Sequence, residues 1–227
     1  MELMAAIRRT ALALVFCWVA PSLAFTSREV SLGSGGVTLK GTLTLPDGNA
    51  RVPGVLILAG SGPTDRNGNS HLPGGVLRND SLKMLADGLA ERGIASLRVD
   101  KRGIAASAVP SLDEAKLRFT TFVEDAEAWA ALLAKEPRVS RVLLIGHSEG
   151  ALVATMAAHA LTASGLILIA GAGEPAGQLM RRQFAAGAIP PVLRADADRV
   201  LSRLEAGKAV SDAPSALASL FRPSVQP

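Results

Sequence analysis

Four nearly continuous apolar runs, at 52–59, 94–99, 142–145 and 166–170, constrain this chain more than any other feature. A strand apolar on both faces belongs in a parallel sheet whose two sides are covered by helices. Helical patterns separate the runs. Residues 80–92 carry Leu82, Leu85 and Leu89 at helical spacing, and 149–161 are rich in Ala, Leu, Val and Met. Residues 121–135 open with Thr121-x-x-Glu124, which reads as a capping box. The alternation predicts an α/β fold with a mostly parallel sheet and helices on both faces. Ahead of it, 29–32 and 38–45 flank Gly35-Gly36 and predict an antiparallel hairpin at the sheet edge. In the second segment Leu39, Gly41, Leu43 and Leu45 oppose polar Thr38, Lys40, Thr42 and Thr44. After Ala170 the pattern becomes helical and rich in proline, with one helix expected over 194–208 and no further strand.

The third run leads into Gly146-His147-Ser148-Glu149-Gly150, a G-x-S-x-G pentapeptide between a strand and a helix. A serine on so sharp a turn projects its hydroxyl above the sheet, so Ser148 is the candidate nucleophile. The first run ends in Ala59-Gly60-Ser61-Gly62-Pro63-Thr64-Asp65-Arg66. There the backbone N–H of Ser61 or Gly62, together with that of Glu149, is placed to hold a developing oxyanion. A base is harder to find. The chain has three histidines, His71, His147 and His159. His147 is adjacent to the serine on a turn that sends neighbouring side chains in different directions. His159 lies about 16 Å further along the helix. His71 sits in a loop facing the site, as a substrate contact or a plain loop residue. Glu174 follows a strand end as an acid, but has no histidine to orient. Asp100 reads as a buried carboxylate paired with an arginine, or as support behind the site.

Other chemistries are disfavoured. Gly60-Ser61-Gly62 lacks the third glycine of a dinucleotide loop. Gly171-Ala172-Gly173-Glu174-Pro175-Ala176 fits G-x-G-x-x-A, yet no strand leads into Asp196. No cofactor and no metal are expected. The net charge of +4 is scattered without a run of five basic residues, so nucleic acid is not an expected partner. Residues 1–24 read as a cleaved signal peptide. They carry Arg8 and Arg9, an apolar stretch over 10–20, and Ser22-Leu23-Ala24 before the cut. The stretch is shorter than the roughly 20 residues of a membrane span. No stable span is expected after cleavage. Cys17, the only cysteine, follows bulky Phe16 and reads as filler of that stretch. A disulfide-free exported chain suits the bacterial periplasm or exterior. Oligomeric state is not legible.

Three segments carry a family resemblance: Leu-Ala-Gly-Ser-Gly-Pro-Thr-Asp-Arg-Asn-Gly-Asn at 58–69, Arg-Val-Asp-Lys-Arg-Gly-Ile at 98–104, and the pentapeptide. In this order they resemble exported bacterial α/β-hydrolases related to serine aminopeptidases and lysophospholipases. Val99 and Ala151 depart from the usual aromatic and glycine. With the signal peptide at 1–24 set aside, the resemblance implies a hydrolase core at 25–173 and the start of a helical lid at 174–227. It implies Ser148 as nucleophile, with the backbone around Ser61 and Glu149 as oxyanion hole. The family continues past its lid with two strand–helix units that carry the acid and histidine. The expectation is therefore a serine hydrolase of small-molecule carboxylic esters or amides, working through an acyl-enzyme but truncated before its acid and base, with an apolar sheet edge uncovered. The alternative is an inactive fragment or pseudoenzyme that binds an acyl ligand or needs a second chain.

Overall fold

The computed structural model describes residues 24–109 and 112–225, so the signal-peptide segment, apart from Ala24, lies outside the described residues. Six strands form one sheet in the order β1-β2-β6-β3-β7-β8. The antiparallel strands β1 (Phe25–Ser34) and β2 (Val37–Pro46) lie at one end. The four apolar runs become the strands β3 (Val52–Leu58), β6 (Ala95–Val99), β7 (Val139–His147) and β8 (Leu166–Ile169), all mutually parallel. Period-two geometry explains why such runs are needed. β3 sends Leu56 and Leu58 to one face, against Trp129 and Leu133 of α2 (Phe119–Ala134) and Val153 and Ala154 of α3 (Glu149–Ala160). It sends Val55 and Ile57 to the other, against Leu82 and Ala86 of α1 (Ser81–Ala90). From β3 the chain crosses to β6 on one side, and from the adjacent β7 it crosses to β8 on the other, so the connections diverge between β3 and β7. The loops at their C-terminal ends therefore face the crevice where α/β sheets bind ligands.

Several details differ from expectation. Thr44, on the supposedly polar face of β2, is fully buried and shares a 2.9 Å hydroxyl contact with Ser27. α2 begins two residues early, so Thr121 occupies its third position and accepts from Arg118 N instead of capping the start. A small hairpin of β4 (Ser70–Leu72) and β5 (Gly75–Leu77) escaped notice because three-residue strands carry no periodic signal. By contrast, β8 pairs with β7 as expected and shows the uncovered apolar edge that was also expected: all four of its residues are exposed, as are Leu152 and Met156 on α3. Among the described residues nothing covers this end of the sheet.

A buried ion pair ties the hairpin to the helical layer. Arg102 donates from Nε and Nη2 to the two oxygens of Asp125 at 3.0 and 2.5 Å, and from Nη1 to the Ser34 carbonyl at 3.1 Å. The Ser34 hydroxyl donates to Asp125 at 2.7 Å.

Residues from 176 onward build a helical unit around their own apolar cluster. It comprises α4 (Ala176–Gln183), α5 (Arg194–Glu205) and α6 (Ala218–Phe221), with Phe184, Val200, Leu201, Leu217 and Phe221 buried between them. Its far end is tethered to the core. The Arg222 guanidinium makes a two-pronged contact with Glu114, and the Ser224 hydroxyl donates to the same carboxylate at 2.7 Å. Arg222, and then Ser224, hold the Glu114 carboxyl down to about 2. The tether therefore contributes fully above the unfolded pKa near 4.5 and is lost as pH falls towards 2. Because the pair is exposed, its contribution should stay below about 1 kcal/mol. Glu114→Gln is expected to lower the thermal midpoint slightly above pH 5, with the difference from the parent vanishing near pH 2 in a pH series of melting curves.

Candidate active site

β7 runs directly into α3, and Ser148 stands at the junction with φ 54° and ψ −118°. A non-glycine residue held there typically costs about 1–3 kcal/mol, which the surrounding structure must supply. The two flanking glycines make the turn possible. A Cβ on Gly150 would lie 2.5 Å from the carbonyl oxygens of both Leu58 and Ala59, and one on Gly146 would run into the Gly150 carbonyl. The helix thus begins in direct contact with the end of β3. The Ser148 N–H donates to the Ile169 carbonyl at 2.9 Å, while its hydroxyl makes no capping bond to α3.

Opposite the serine lies the loop that follows β3. Gly60 is buried, and Ser61 and Gly62 are exposed. Among the described residues nothing accepts from the N–H of Ser61 or Gly62. Glu149 is the first residue of α3, where an N–H has no acceptor within the helix and the helix dipole favours negative charge. The three expected donors therefore lie on two independent elements, the start of α3 and the loop after β3.

Polar groups hold this loop in shape. Asp65 Oδ1 accepts from the N–H of Asn67 and Asn69 at 2.8 and 2.9 Å, and Oδ2 meets His71 Nε2 at 2.9 Å. Burial opposes ionisation of Asp65, but the His71 bond and the two backbone donors outweigh it and hold the carboxyl below its usual range. Asp100 is buried at the end of β6. It accepts from Arg66 N at 2.8 Å and lies 3.6 Å from the Arg66 guanidinium, the arginine-paired role expected for it. Burial pushes its carboxyl up despite Arg66.

No histidine is brought to the serine. His71 is held by Asp65, and His159 is exposed in the last turn of α3. His147 is exposed with its ring against Gly60. Glu174 pairs with Arg182 in the helical unit. Asp196 lies inside α5 with no strand before it, so the second glycine-rich segment is not a dinucleotide loop. Sequence reasoning passed over Lys101, whose ammonium reaches both the Gly60 carbonyl and the Glu149 carboxylate. Its place just after a parallel strand, at the ligand-binding end of the sheet, was the available signal. Among the described residues no group of three or more His, Cys, Asp and Glu is arranged to hold a metal, and no helix is long and apolar enough to cross a membrane.

A family model described as serine aminopeptidase, S33, matches residues 73–220, well over half of the chain. The chain belongs to this family. It is thus an α/β-type hydrolase by descent, and the matched span includes Ser148 and Glu149 but begins after the Ser61 loop. A curated relative, Esterase EstD of Thermotoga maritima, is 31% identical over 146 residues, which is 64% of this chain but 33% of that protein. The chain therefore spans about a third of the length of this curated relative. Solved structures agree on the fold. The α/β hydrolase GrgF of Penicillium sp. sh18 superposes with a TM-score of 0.55 at 21% identity, covering 88% of this chain and 63% of that one. A hypothetical protein of Pseudomonas aeruginosa superposes at 0.57 and 17% identity, covering 97% and 70%.

Proposed function

We propose that this chain carries the nucleophile and oxyanion hole of a serine hydrolase that cleaves small carboxylic esters through an acyl-enzyme on Ser148. One observation carries the reading: the strained Ser148 backbone, its hydroxyl not used for capping, stands at the start of α3 beside Gly60, whose loop has Ser61 and Gly62 N–H groups without a partner among the described residues. A neutral ester carbonyl seated there would be attacked by Ser148 Oγ. The hydroxyl proton would pass to a base, and the carbonyl oxygen would take negative charge facing the N–H donors. Collapse would break the bond to the leaving alkoxide, which takes up the proton. Water would then cleave the Ser148 ester by the same steps. The name of the Thermotoga relative, an esterase, favours esters over amides.

None of the chain's three histidines hydrogen-bonds the Ser148 hydroxyl: His71 is held by Asp65, His159 stands in the last turn of α3, and the His147 ring lies against Gly60. The proposal therefore includes a histidine and its acid partner brought from outside the described residues, past the uncovered side of β8. Export through the 1–24 segment to the periplasm or exterior belongs to the same proposal.

A fluorophosphonate probe tests it. Slow covalent labelling is expected in the parent and none in Ser148→Ala, read by intact-mass spectrometry. Hydrolysis of p-nitrophenyl acetate by the chain alone should stay within the ~10³–10⁴-fold residual enhancement that survives loss of a triad member. Labelling that persists in Ser148→Ala would reject the nucleophile. Turnover at the rate of a complete esterase would reject the external base.

A further inference from the structure

Lys101 touches both arms of the proposed oxyanion hole. It follows β6 and is largely buried. Its Nζ donates to the Gly60 carbonyl at 2.5 Å and lies 3.6 Å from Glu149 Oε1. Gly60 O and Ser61 N–H belong to one peptide unit. Among the described residues there are no cis peptide bonds, and in a planar trans unit the C=O and N–H point in opposite directions. A donor fastened to Gly60 O therefore fixes where Ser61 N–H points. The peptide lies close to the nucleophile, since a Cβ on Gly60 would stand 3.2 Å from Ser148 Cβ.

We propose that Lys101 is a positioning residue that locks the Gly60–Ser61 peptide with its N–H towards Ser148. The inference rests on Ser148 being the nucleophile. The lock has work to do because Gly60 and Gly62 flank the segment, and glycine permits a peptide flip at little steric cost. The next peptide has its own restraint, as the Thr64 hydroxyl donates to the Ser61 carbonyl at 2.9 Å. Thr64 is neutral and local, whereas Lys101 brings a charge from another strand. A charge-assisted bond to a carbonyl also polarises the peptide and strengthens its N–H as a donor. Through Glu149 the same ammonium holds the residue that supplies the opposite donor. Burial lowers the Lys101 pKa and Glu149 partly restores it.

The test is the inactivation kinetics of the full chain with a fluorophosphonate, separating the probe's dissociation constant from the maximal inactivation rate. Lys101→Met keeps the bulk and removes the donor. It is expected to lower the maximal rate ~10–100-fold, approaching the loss of one oxyanion donor, with the dissociation constant unchanged. Lys101→Arg, which keeps a charged donor, should recover most of the rate. Melting curves show whether each variant folds. Should Lys101→Met fail to fold, Lys101→Gln, a neutral donor, is expected to lie between Met and Arg. A parental maximal rate in Lys101→Met or Lys101→Gln, or no recovery in Lys101→Arg, would overturn the lock. A loss confined to the dissociation constant would do the same. A parent chain that shows no Ser148-dependent labelling would instead bring down the nucleophile reading itself, and the lock with it.

Discussion

Asp125→Ala is expected to lower the free energy of unfolding by about 3–5 kcal/mol, because it strands the Arg102 guanidinium in the core. Both side chains are less than a tenth exposed, so water cannot replace the lost carboxylate. The Ser34 carbonyl and hydroxyl would keep two of the guanidinium's contacts, but they bring no negative charge. Such a loss is a large fraction of the ~5–15 kcal/mol that holds a typical domain together. Urea unfolding followed by far-UV circular dichroism measures it directly. Replacing both partners, as Arg102→Met with Asp125→Leu, should recover much of the loss, since the double change leaves no buried charge unpaired. A single Asp125→Ala variant within about 1 kcal/mol of the parent would mean that the hairpin and α2 are not joined as described.

Gly150→Ala is expected to damage the proposed site severely, although it adds a single methyl group. The added Cβ would meet the carbonyl oxygens of Leu58 and Ala59 at 2.5 Å. These are backbone atoms of the central strand and its exit, so α3 must shift away. That shift moves Glu149 N–H and Ser148 Oγ together relative to the Ser61 loop. Misplacement by about 1 Å can reduce a reaction rate 10²-fold, and a loss of at least that size in phosphonate labelling is expected. Overpacking typically costs about 1–3 kcal/mol besides. Inactivation kinetics and urea unfolding on one preparation would separate the two effects. Labelling at the parental rate would show that the elbow does not need the close approach seen between Gly150 and β3.

The sheet and the elbow were legible because both are written in local patterns. Strands buried on both faces need unbroken apolar runs, and 52–59, 94–99 and 142–145 supplied them. Gly146 and Gly150 were readable because only glycine tolerates the carbonyls beside it. The run at 166–170 was read correctly as a strand, and the expectation of an uncovered apolar edge agrees with its exposure. Its composition records that it is meant to be buried and is silent on what buries it. Loop chemistry was the least legible. The links from Asp65 to His71 and from Arg66 to Asp100 depend on how segments meet in space. Lys101 was missed for the same reason. In sequence it is one basic residue in Asp100-Lys101-Arg102, and only the fold brings its ammonium to Gly60. Its neighbour Arg102 turns the other way, to Asp125.

A crystal structure of the phosphonylated protein would test the central claim most directly. Phosphorus is predicted to be bonded to Ser148 Oγ. Its non-bridging oxygen should lie 2.7–3.1 Å, the usual donor distance in an oxyanion hole, from the N–H of Glu149 and from that of Ser61 or Gly62. An adduct on another residue, or a phosphonyl oxygen turned to solvent with those N–H groups unengaged, would contradict the account.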